Sequence, residues 1–146
     1  MFDNKDFDEQ CLLCLYDNGK VYYIIVQREP ELKNTGLSII NRILNDRHKF
    51  IGDFYSTQSY FSLIYIDDDT IKVDKSFGGS NRNELTIKEL DNYLIDEIYP
   101  YIYVYDVEKD SLIIKEPNKD LYHLDFYDRS KVEQFVSKIK KDKYSN

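Results

Sequence analysis

An α+β fold is expected from this sequence: a mostly antiparallel sheet built from hairpins, in the order ββα-ββα-βββα, with three helices packed on it. Three features predict it. Residues 85 to 99 carry a helical period that ends at a proline. Residues 101 to 114 switch to strict alternation around a polar turn. Elsewhere, short apolar runs come in pairs separated by turn residues, and each group leads into a helical pattern.

The helix beginning near Leu85 is the most legible element. Thr86 and Glu89 have the spacing of a capping box, and Leu85 and Leu90 that of a hydrophobic staple. Ile87, Leu90, Leu94 and Ile98 then recur on one face, while Lys88, Asp91, Asn92 and Glu97 take the other. Pro100 stops the helix at about Tyr99, because the residue before proline avoids helical angles. In the strand that follows, Tyr101, Tyr103 and Tyr105 point one way and Ile102 and Val104 the other. Glu108 to Ser111 is turn-prone, and Leu112 to Ile114 forms the returning strand.

From the N-terminus, residues 1 to 9 read as a flexible acidic leader. Cys11 to Tyr16 is a strand, and Asn18-Gly19 a tight turn, since both residues tolerate positive φ. Val21 to Gln27 is apolar on both faces and so central in its sheet. Thr35 is expected to cap a short helix with Leu37, Ile40 and Leu44 on one face. Residues 46 to 58 have no clean period and read as a loop. Tyr60 to Ile66 and Thr70 to Asp74 make a hairpin around Asp67-Asp68-Asp69. Residues 75 to 84 are the most flexible internal stretch by composition. Leu121 to Tyr127 is another strand, with Tyr122, Leu124 and Phe126 on one face. Ser130 and Glu133 then suggest a second capping box, ahead of a helix with Val132, Phe135, Val136 and Ile139 inward. Residues 142 to 146 read as a flexible tail, and residues 1 to 146 as one domain.

With 146 residues, 42% hydrophobic and 15% aromatic, the chain can bury a real core and is not wholly disordered. No apolar run reaches the roughly 18 residues of a membrane helix. The acidic, polar start is unlike a signal peptide, so a cytoplasmic location and no membrane association are expected. Net charge is −7, which argues against direct nucleic-acid binding through phosphate neutralisation. From Arg129 onward six basic residues face two acidic ones, or +4, leaving −7 − 4 = −11 for residues 1 to 128.

No motif here carries a recognisable chemistry. Cys11 and Cys14 stand three apart on a strand, hence on opposite faces, with no second cysteine pair to complete a zinc site. They read as small buried hydrophobes. His123, with Asp125 two residues on, has the residue types to pair with a cysteine nucleophile, but nothing in the sequence brings them together. His48 lies in a basic triplet that reads as a solvated loop tip. Asp67, Asp68 and Asp69, with Asp74, are oxygen donors of the kind that hold Mg²⁺ or Ca²⁺, yet the EF-hand pattern is absent. Phosphate-loop, dinucleotide and hydrolase signatures are missing as well.

The sequence therefore favours a non-enzymatic, acidic binding or inhibitor protein. It would act as an immunity protein, or as a viral or phage inhibitor of a host defence, against a basic protein partner of the kind that often binds nucleic acid. No cofactor is expected. Its contact residues would be Tyr101, Tyr103 and Tyr105, which supply packing, with Glu108 and Asp110 supplying charge. Against this, tyrosines are good strand formers and pack equally well beneath a helix. The alternative is a small metal-dependent hydrolase or nuclease using Asp67–Asp69 or a Cys/His site.

Overall fold

The structure, a computed structural model, describes residues 10–27, 29–58, 62–66, 71–76 and 83–144. The chain opens on a hairpin of β1 (Gln10–Asp17) and β2 (Lys20–Gln27). Its turn is the expected one: Asn18 and Gly19 take φ of 53° and 78°, and Asp17 faces Lys20 across the closing pair.

A π-helical turn (Leu32–Gly36) leads into α1 (Leu37–Gln58). Two expectations are corrected here. Thr35 does not cap the helix but is buried inside the π turn, and the preceding Glu31 makes no side-chain capping bond. Residues 46 to 58 are helical, not a loop. The helix breaks at Asp46 (φ −162°, ψ 94°) and restarts, with Asp46 Oδ1 accepting from the Lys49 amide at 3.1 Å. Asp46 is thus an internal N-cap, and Phe50 and Phe54 carry the second segment's buried face.

Next come β3 (Ser62–Ile66), β4 (Ile71–Ser76) and the short β5 (Glu84–Leu85). Helix α2 (Ile87–Ile95) carries the expected capping box, with Glu89 N to Thr86 Oγ1 at 3.1 Å and Thr86 N to Glu89 Oε1 at 3.0 Å. It ends at Ile95, earlier than Pro100 alone requires, because Asp96 is extended and its carboxylate takes the Ile98 amide at 3.0 Å. Strands β6 (Ile102–Asp106), β7 (Ser111–Lys115) and β8 (Tyr122–Asp125) follow, then α3 (Arg129–Tyr144). The cap of α3 is Asp128, not Ser130: its Oδ1 accepts from the Lys131 amide at 3.2 Å, and Glu133 turns to Arg129 at 3.4 Å. The helix continues through Tyr144, so residues 142 to 144, expected in a flexible tail, are helical.

The strands form one sheet in the order β4-β3-β2-β1-β6-β7-β8, with β5 also pairing β2. Most pairings are antiparallel, and the hairpins meet at two parallel ones, β1 with β6 and β2 with β3. The fold is α+β, with three helices on a mostly antiparallel sheet. Strand β2 is central, as its two apolar faces imply. On one face α1 and α3 cover Leu13, Leu15, Ile24, Val26, Tyr103 and Tyr105. On the other, Leu90 of α2 joins Leu12, Cys14, Val21, Ile102 and Val104. Both faces of the central strands are therefore dry.

Candidate functional site

Alternation sends Tyr103 and Tyr105 to the face that α1 and α3 cover, and both are fully buried. Their hydroxyls are satisfied internally. Tyr103 donates to the Pro30 carbonyl at 2.7 Å. The Tyr105 hydroxyl donates to the Asp110 carboxylate and accepts from Arg47 Nε at 2.9 Å. Arg47 also reaches the Val107 carbonyl at 2.6 Å, tying the kink of α1 to the β6–β7 turn. The Tyr105 ring meets Phe50 and Phe126 edge-on, at 5.9 and 6.0 Å. The expected tyrosine docking face is thus corrected to a tyrosine core. Tyr101 is half-buried against that core, and Asp110 is committed to Tyr105, with Arg47 at 3.7 Å. Of the five expected contact residues only Glu108 is well exposed. The basic triplet is corrected too: Arg47 is a structural bolt, while His48 is exposed on α1.

The structure does not assemble a Cys/His centre. Cys11 lies in one core and Cys14 in the other, both free thiols with no exposed surface. Burial pushes both thiol pKa values far above the ordinary 9.0 and holds them protonated and inert. His123 is exposed on β8. Among the described residues no group of three or more His, Cys, Asp and Glu is placed to hold a metal ion. The turn Asp67–Asp69 lies outside the described residues. Among those described, no helix is long and apolar enough to cross a membrane.

What the molecule does present is an open groove of about 970 Å³ between the end of α2 and the β7–β8 connection. Its position follows from one side chain that belongs to no sequence motif. Lys115 ends the apolar strand β7, is buried, and donates from Nζ to the carbonyls of Tyr93 and Asp96, each at 2.6 Å. It thereby satisfies carbonyls at the end of α2 that have no helical partner, and pins that end to the sheet. Burial lowers its pKa, against the opposing pull of Asp96 and Glu97. Leu94, Ile95, Pro100, Pro117 and Leu121 give the groove apolar surface. Asp96, Glu97, Glu116 and Asp120 give it carboxylates. A cation ending an otherwise apolar strand, directly before Glu116-Pro117, is the signal that would have marked the place. On the other side of the same connection a hollow of about 560 Å³ faces α3, where Tyr122 stacks on Phe135 at 4.7 Å.

No protein-family model, curated protein or solved structure matches the chain.

Proposed function

We propose that the protein is a non-enzymatic acidic binding protein that blocks a basic protein partner, in the manner of an immunity protein or a viral or phage inhibitor of a host defence. The observation that supports this is the groove beside α2, where exposed apolar side chains and four carboxylates share one concave surface. Single exposed apolar residues are ordinary, but their concentration in a hollow rimmed by charge is the composition of an interaction site. The net charge of −7 supplies the long-range term that brings a cationic partner in.

The test is affinity capture from the native host at two salt concentrations. At about 0.05 M salt the protein should retain a basic protein, and the complex should weaken markedly by about 0.5 M. The purified pair should be stoichiometric, and the chain should suppress the partner's activity without turning it over. An acidic partner, binding indifferent to salt, or turnover by the chain itself would overturn the proposal.

A further inference from the structure

We infer that the groove between the end of α2 and the β7–β8 connection docks a lysine- or arginine-bearing segment of the partner protein, one in which cationic and apolar side chains are interleaved. This rests on the reading above and narrows it to one surface and one ligand chemistry. The apolar component is uncovered: Ile95 is 80% exposed and Leu121 39% exposed, both lining the same hollow. The charge is complementary to a cation. Four carboxylates and two lysines line the groove, a balance of 2 − 4 = −2. Neither lysine is positioned to repel an incoming cation strongly. Lys115 directs its ammonium at the carbonyls of Tyr93 and Asp96, and Lys119 lies 3.5 Å from Glu116.

A carboxylate cluster alone would only gather solvent cations. The apolar lining asks for more, because a ligand must bury Ile95 and Leu121 while its charges reach the rim. The walls are also held before anything binds. Lys115 fixes the end of α2, the Asp96 carboxylate holds the Ile98 amide, and Pro100 and Pro117 stiffen the chain on each side. A preformed groove spends less binding energy on ordering itself.

The probe is a labelled short peptide of alternating lysine and leucine, titrated against the intact chain by fluorescence anisotropy. Companion peptides carry glycine in place of leucine, or glutamate in place of lysine. Saturable binding of the lysine–leucine peptide alone is expected. Ile95→Asp is the decisive variant, because it adds a negative charge at an exposed position and should lower the melting temperature only slightly, a carboxylate in the last turn of α2 opposing the helix dipole weakly where water screens it. Attraction by net charge alone predicts tighter binding by this variant, whereas docking in the groove predicts loss of about tenfold or more. Glu97→Lys with Asp120→Lys should weaken binding more than the charge-matched pair Glu84→Lys with Glu108→Lys, both exposed and neither lining the groove. If Ile95→Asp binds as well as the parent, the groove assignment is wrong while an acidic binding protein still stands. Should no cationic peptide bind at all, the basic-partner reading falls with it. If sedimentation instead shows a dimer that Ile95→Asp dissolves, the occupant is a second copy and the inference is overturned.

Discussion

Tyr103 shows how much one residue commits the rest of the core. Its ring and hydroxyl lie so close to Gly36 that a Cβ there would come within 2.9 Å of both, and within 2.8 Å of Leu32 Cδ1. The π turn can lie against β6 only because position 36 has no side chain. Gly36→Ala should therefore cost about 1–3 kcal/mol by overpacking, read from urea unfolding. Tyr103→Phe keeps the ring but strands the Pro30 carbonyl, for a loss of about 1–2 kcal/mol. The same burial makes the fold sensitive to alkali. Burial holds the pKa values of Cys11 and Cys14 above 9.0 and those of Tyr103 and Tyr105 above 10.0. A folded-state pKa raised above the unfolded one means that the native chain keeps protons the unfolded chain releases. The contribution is fully present below pH 9.0 for the thiols and below 10.0 for the phenols, and is lost as pH rises above those values. Each group steepens the fall by up to about 1.4 kcal/mol per pH unit. In Cys11→Ala with Cys14→Ala, the decline should begin about one unit higher than in the parent. An unchanged onset would mean that the thiols are not what releases the protons.

Among the elements, the caps decide what was readable. The Thr86–Glu89 box was legible because both its members lie next to a clean apolar period. The segment from Asp46 to Gln58 was not, because its cap sits inside a longer helix: Phe50 and Phe54 continue the period of Ile39 and Ile43, but the polar run from Asp46 to Lys49 interrupts it. At the last helix two acceptors compete for the cap, and the backbone gives it to Asp128, two residues before Ser130. Asp128→Ala should cost about 1 kcal/mol and Ser130→Ala close to nothing; the reverse order in thermal melts would restore the serine box. The helical period places Val132, Val136 and Ile139 on the inward face of α3, and all three are buried. Phe135 is half-buried and stacked on Tyr122, so Phe135→Ala should lose less than the roughly 3–5 kcal/mol of a fully buried ring. The tyrosine alternation of β6 was equally legible. Which of its faces helices would cover was not, because that depends on a strand order, β1 beside β6, that no local pattern encodes. The same gap hid the groove, whose walls are separated in sequence and joined by Lys115.

At the scale of the whole molecule, the charge is unevenly placed, and that yields a prediction of definite sign. Residues 1 to 128 carry −11 and the remainder +4. Lys138, Lys140, Lys141 and Lys143 are all exposed on α3. If the partner is basic, the acidic body attracts it from a distance while α3 repels it, so the helix biases the direction of approach. Lys140→Glu with Lys141→Glu lies outside the residues lining either hollow and leaves the inward face of α3 intact. Short-range packing in the complex should then be unchanged, and the variant should act on encounter alone. Association measured by stopped flow should quicken about 2- to 10-fold at low salt, with the dissociation rate little altered. The gain should shrink as ionic strength shortens the Debye length from about 30 Å at 0.01 M to about 8 Å at 0.15 M. Slower association would instead place α3 against an acidic region of the partner. The basic helix would then be part of the binding surface, and the complex would depend on two patches of opposite sign.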